Sequence, residues 1–222
     1  MKKSSKIAAL LALAGSTQAM AGDGFFGFSA GLQIYDDGTD LWCVIDVYAD
    51  FSDDGFAVLN VFNADVSSSN GGGFHHNDLA DATGGSWKPS FSFNIAGAYD
   101  PMRDSYVTIG YGVGAEAPLN QTALDPGFGT GSGGYIPLNA GWFNLTPDNA
   151  QYATGGQIHI AHFVMEYSNS YPEGFLFEAE IGYNTGPGTQ VMFGHHVIGL
   201  IPAPAGIALF GLAGLRSRRR RA

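Results

Sequence analysis

Three kinds of side chain in this sequence have the chemistry to hold a ligand or cut a bond, and each is constrained by its spacing. His159-Ile-Ala-His162 has the look of a metal pair, as do the adjacent pairs His75-His76 and His195-His196. Imidazole nitrogens bind zinc-class ions only when the ligands converge on one point. A regular strand turns residues three apart, and adjacent residues, to opposite faces. Unless 159–162 is helical, its two histidines therefore cannot share an ion. Clustered carboxylates are the second kind. Asp36, Asp37 and Asp40 lie in Tyr35-Asp-Asp-Gly-Thr-Asp40, and Asp53 and Asp54 precede Gly55. Hard oxygen ligands on turns suit calcium, although neither string has the spacing of a helix-loop-helix calcium loop. Asp-Gly turns also arise for backbone reasons alone. The expectation is no obligate cofactor, with calcium as the candidate ion at these five residues.

The third kind is the pair Glu178 and Glu180, which share one face of a strand. Paired carboxylates on a sheet face are the equipment of glycoside hydrolysis. Gly182 stands where a further carboxylate on that face would be, and outward solvated charges account for the pair. No Gly-x-Ser-x-Gly, His-Glu-x-x-His or phosphate-binding loop is present. The sequence is thus read as non-catalytic, with no catalytic residue assigned and a glycoside hydrolase-like enzyme as the weakest reading. A carbohydrate-binding or adhesion module is the alternative. It would present Trp87, Trp142 and Tyr135 from long glycine-rich loops to extracellular polysaccharide, although aromatics of this kind also serve as core.

The elements that must position these groups read as β throughout. Cys43, Ile45, Val47, Ala49 and Phe51 alternate with Val44, Asp46, Tyr48 and Asp50, a period of two. Asp53-Asp54-Gly55 is a turn, and Phe56 to Val66 reads as the returning strand of a hairpin. Phe91, Phe93 and Ile95, Tyr106 to Tyr111, Ile158 to Tyr167 and Val191 to Ile198 continue the pattern. Phe175, Phe177, Ala179, Ile181 and Tyr183 alternate with Leu176, Glu178, Glu180 and Gly182, so the first set faces the core. The chain has 33 glycines and short strands bounded by turn residues. This favours a single all-β domain at 22–200, an antiparallel β-sandwich or jelly roll. Ser67 to Ser86 and Gly114 to Gly156 are long irregular stretches. Within the second, Thr146-Pro147-Asp148 suits one helical turn.

Both ends of the chain differ from this middle. Lys2, Lys3 and Lys6, an apolar run from Ile7 to Gly15, and Ala19-Met20-Ala21 have the three parts of a signal peptide, 1–21, with Ala19 and Ala21 defining the cleavage site. At the other end Pro202-Ala203-Pro204 precedes an apolar stretch to Leu215, and then Arg216, Arg218, Arg219, Arg220 and Arg221. Counted back to Val197 the apolar span is 19 residues, at the lower edge of what crosses a bilayer. The prolines break any helix at its start, and the arginines would stay on the cytoplasmic side.

This tail, 201–222, resembles the PEP-CTERM sorting signal of Gram-negative bacteria, with Ala203 where the family's motif has Glu. The resemblance implies a transmembrane sorting helix, inner-membrane anchoring, and an exosortase-type membrane protease as processing partner, cutting near Pro202-Ala203-Pro204. Delivery to the cell surface or extracellular matrix follows. Signal peptidase and the Sec export machinery are the partners implied by the N-terminal segment. The strings Asp104-Ser-Tyr-Val-Thr-Ile-Gly110 and Gly141-Trp-Phe-Asn144 are faintly similar to a module of exported bacterial proteins and imply no chemistry.

Charge bounds the partners of the middle segment. All 20 acidic residues lie between Asp23 and Glu180, and Lys88 and Arg103 are the only cations between Gly22 and Leu200, giving that segment a formal charge of −18. Nucleic acid and anionic lipid would be repelled. Cys43 is the only cysteine, so no internal disulfide can form and stability must come from the core.

Overall fold

The computed structural model describes residues 24–68, 73–76, 87, 100–110, 122–128, 134–145, 152–167 and 175–200. The expected signal peptide, the tail 201–222, the strand through Phe91, Phe93 and Ile95, and the turn at Thr146 lie outside the described residues. Alternating apolar residues build the elements. Among the described residues nine strands form: β1 (Phe25–Asp36), β2 (Leu41–Phe51), β3 (Ala57–Ser67), β4 (Tyr106–Val107), β5 (Thr122–Leu124), β6 (Ala140–Asn144), β7 (Gln157–Glu166), β8 (Phe175–Asn184) and β9 (Met192–Leu200). They make two antiparallel sheets, one in the order β1-β2-β7-β4 and one in the order β5-β6-β3-β8-β9, and the described residues contain no helix.

The face assignments expected from the period of two hold in β2 and β8. Cys43, Ile45, Val47, Ala49 and Phe51 are buried, as are Phe175, Phe177, Ala179, Ile181 and Tyr183. Leu176 is exposed and Glu178 and Glu180 are partly so. The two inner faces share one core. Phe28 of β1 meets Phe177 of β8 edge to face at 5.1 Å, and Phe163 of β7 lies 5.7 Å from Phe175. The fold is a β-sandwich. Cys43 is buried within it, and burial pushes its thiol up to about 12, so it acts as a small apolar residue. Trp142 Nε1 donates to the carbonyl of Thr108 at 3.0 Å, which joins the two strings 104–110 and 141–144 inside the core.

At one side of the sandwich the edge strands β1 and β9 meet without a ladder. The Phe28 N–H donates instead to His196 Nδ1 at 2.9 Å. Gly27, at φ 128°, allows this approach, because a Cβ there would sit 2.9 Å from the same nitrogen. Burial, chiefly, holds the His196 imidazole below its usual range. A buried side chain thus satisfies a backbone donor that an open edge would offer to another chain.

Three expectations need correction. Phe56 to Val66 does not return alongside β2. β3 belongs to the other sheet and pairs with β6 and β8, because both edges of β2 are taken by β1 and β7. The turn at 53–55 carries the chain across the sandwich, with Phe51 stacked on Phe56 at 5.2 Å. Of the described part of the strand expected at Tyr106 to Tyr111, residues 106–110, only Tyr106–Val107 forms a ladder. Val197 to Leu200 cannot count toward a membrane span, since they form the end of β9 and Phe175 pairs with Leu200.

Replacing Phe177 with Ala should cost about 3–5 kcal/mol, the range for buried aromatics, since Phe177 is wholly buried at the meeting of the sheets. Replacing both Glu178 and Glu180 with Gln should change stability by less than about 1 kcal/mol. Denaturant melts of the two variants measure the difference, and the reverse ranking would overturn the face assignment.

Candidate metal centre

Among the described residues, one group of at least three His, Cys, Asp or Glu side chains stands close enough for an ion, namely Asp46, His159 and His162. The group is made by a bulge. Along β2 and β7, Asp46 pairs with His162 and Val47 with Ala161, and then Tyr48 pairs with His159, leaving Ile160 as the extra residue. Ile160 and Ala161 both enter the core. That shift of phase by one residue brings His159 round to the face already holding His162, beside the outward Asp46. The extra carbonyl is not wasted, since Ile160 accepts from Thr108 N–H at 3.0 Å beyond the short strand β4. Bulges of this kind re-aim side chains in many sheets.

The expectation that His159 and His162 face opposite sides of a strand is therefore wrong. It assumed unbroken alternation. The signal lay in the apolar positions 158, 160, 161, 163 and 165, whose adjacent members at 160 and 161 cannot both point inward on a regular strand. Asp46 appeared in the sequence only as an outward residue of β2, and nothing local linked it to β7.

The geometry is tight. Asp46 Oδ1 lies 2.7 Å from His162 Nδ1 and 3.1 Å from His159 Nε2. The side chain of His162 is wholly buried, that of His159 is 10% exposed and that of Asp46 23%. Tyr106 stacks on His162 at 4.9 Å, and Tyr48 lies tilted 5.2 Å from His159. Since a carboxylate only accepts, His162 Nδ1 donates to it, and His159 Nε2 faces the same oxygen at ion-pair distance. Burial by itself would raise the Asp46 pKa, but hydrogen bonds and charge from both imidazoles outweigh it and hold the carboxyl far below the usual range.

Four of the five expected calcium residues, Asp36, Asp37, Asp53 and Asp54, use their carboxylates to accept hydrogen bonds within the protein, and Asp40 contributes its backbone N–H. Asp36 Oδ1 accepts from Gly38 N–H, and Asp37 Oδ1 from Thr39 and Asp40 N–H. Asp37 Oδ2 accepts from Trp42 Nε1 and from Arg103, each below 3 Å. The Asp37 carboxyl is lowered to about 2, most of all by its backbone partner Asp40. Asp53 caps Gly55, and Asp54 accepts from Gly156 N–H at 2.6 Å. These are turn-closing roles, and the five residues form no group of three ligands among the described residues.

The remaining candidates scatter. His195 pairs outward with Glu178 at 3.1 Å, Glu180 accepts from Asn63, and His196 points inward. His76 is buried against Asp104 and stacked on Trp87, while His75 packs on Trp42. Trp87 and Trp142, expected on an exposed sugar platform, are both 1% exposed and serve as core, whereas Tyr135 is exposed. Comparison with protein-family models, with curated proteins and with solved structures finds no match to this chain.

The Asp46 pKa sets a testable pH dependence. Its folded value is depressed below the ordinary 3.8, so its contribution to stability is present above that pH and is lost as the pH falls toward the folded value. Asp46→Asn should remove this part of the acid slope. At neutral pH it should cost about 1–3 kcal/mol, the penalty for leaving buried donors poorly matched. Urea melts of both proteins from pH 7 to pH 2 check it, and superimposable slopes would overturn the assignment.

Proposed function

We propose that this is an exported, non-catalytic surface or extracellular-matrix protein, anchored in the inner membrane by its tail and then processed by an exosortase-type protease. The observation that carries this reading is the three-part C-terminal tail, Pro202-Ala203-Pro204, the apolar stretch and the arginine cluster. The strand architecture supports it. The described strands, Phe25 to Leu200, lie within the segment between the two terminal signals. A formal charge of −18 on the segment between them suits a protein kept soluble outside the cell. Of the long-range pairs, β3–β6 nests within β2–β7, which supports winding of the jelly-roll kind, whereas β3–β8 crosses β2–β7. Glu178 and Glu180 lie on an open sheet face, and this favours a solvated role over hydrolysis.

The test is the intact mass of protein recovered from the cell surface. Material lacking Arg216 to Arg221 is expected. A surface species that retains Arg221 overturns the processing step.

A second reading, binding of extracellular polysaccharide, rests on a different set of aromatics from that expected. One row of residues crosses four strands of the larger sheet on its outer face: Phe143, Asn60, Gly182 and Phe193. Phe143 and Phe193 are 40% and 65% exposed, and Phe62 lies 6.2 Å from Phe193. Ring faces beside an amide suit a sugar. A glycan array should then show binding that Phe193→Ala weakens roughly threefold to tenfold, the worth of one aromatic contact. A blank array, or binding indifferent to the substitution, removes this reading.

A further inference from the structure

We propose that Asp46, His159 and His162 bind one divalent transition-metal ion of the zinc class. This goes beyond the surface role and does not depend on it. Two imidazole nitrogens and one carboxylate oxygen are the donors that zinc, cobalt and nickel prefer, whereas calcium takes oxygen ligands alone. Three protein ligands leave a further position for water, and the partly exposed Asp46 side of the group gives solvent its approach.

The spacing is close to what such an ion requires. With zinc–ligand bonds of about 2.0–2.1 Å, neighbouring ligand atoms in a tetrahedral site stand roughly 3.3 Å apart. The oxygen-to-nitrogen distances here are 2.7 and 3.1 Å, and all three ligand atoms lie within 4.8 Å of one another. To take an ion at the centre, the two oxygen-to-nitrogen distances need to open by a few tenths of an ångström, while the two ring nitrogens, within 4.8 Å of each other, settle at the same spacing. As the ion enters, the proton on each ligating nitrogen moves to the other nitrogen of the same ring or, where that nitrogen already carries one, to solvent.

The site is also held in place before any ion arrives. Its ligands stand on β2 and β7, the two inner strands of their sheet, and strands position ligands more precisely than loops do. The Tyr106 and Tyr48 rings limit rotation of the two imidazoles. The strongly acidic surroundings raise the local concentration of cations. By contrast His195 and Glu178, a pair more than 40% exposed on the other sheet, belong to no group of three ligands among the described residues and serve as the control.

The full chain, stripped with chelator and titrated with Zn²⁺ in a calorimeter, should take up one ion per chain at this site. His159→Ala and Asp46→Asn should each weaken that binding by at least about tenfold, given that even supporting residues around metals are worth about 10–100-fold. His195→Ala should leave it unchanged. Co²⁺ in place of Zn²⁺ should give the visible absorption bands of a low-coordinate site in the parent protein, and these should be lost in both ligand variants. Should Asp46→Asn fail to fold, as seen by near-UV circular dichroism, His159→Ala decides alone, because His159 makes the longer of the two contacts to Asp46. Absence of saturable uptake, uptake that survives loss of His159, or uptake that follows His195 overturns the proposal.

Discussion

Phe28, Phe163, Phe175 and Phe177 meet ring to ring between the two sheets, and that meeting decides which side of every strand is inside. The only cysteine is buried and unpaired, and no helix packs on either sheet among the described residues. The sandwich is therefore held by the burial of one face of each sheet, at about 25 cal/mol for each square ångström of apolar surface removed from water. A slip of one residue in β8 would bring Glu178 and Glu180 inward without partners, a cost that apolar burial could not offset. Pairing register and outward display both follow from this constraint.

The bulge in β7 uses the same constraint to a different end. Because the core accepts Ile160 and Ala161 together, the outward side skips one residue, and two histidines three apart come to share a carboxylate. The irregularity costs little in backbone hydrogen bonding, as Thr108 takes up the Ile160 carbonyl and Gly110 that of His159. The cluster of polar side chains is thus a by-product of how the inner face packs. It lies against the apolar outer patch of Trp42, Val44 and Val164, which gives that part of the sheet a second, smaller region of burial.

Much of the fold was legible. The inward set of β2 and that of β8 followed from alternation alone, and so did the outward placement of the two glutamates. What could not be read was which strand lies next to which. Phe56 to Val66 has the pattern of a hairpin partner for β2 and the intervening turn to match, yet β7, far along the chain, holds that place. Local pattern carries face and period but says nothing of neighbours separated by a hundred residues. Asp46 stayed hidden for that reason, and the histidines because a bulge breaks the rule by which faces are assigned. The tryptophans were misplaced as a platform because glycine-rich context says little about burial, whereas Trp142 is committed by its indole bond to Thr108.

The strand order has a consequence for the time the chain takes to fold. Only β1–β2 and β8–β9 join strands adjacent in sequence by short turns. The pairs that complete the centre of each sheet, β2 with β7 and β3 with β8, join residues more than 100 positions apart. Such long loops must be closed before their contacts give anything back, so folding is slow and waits for the last third of the chain. Neither sheet can close until β7 and β8 have been made, so a chain still short of them has no sandwich to close.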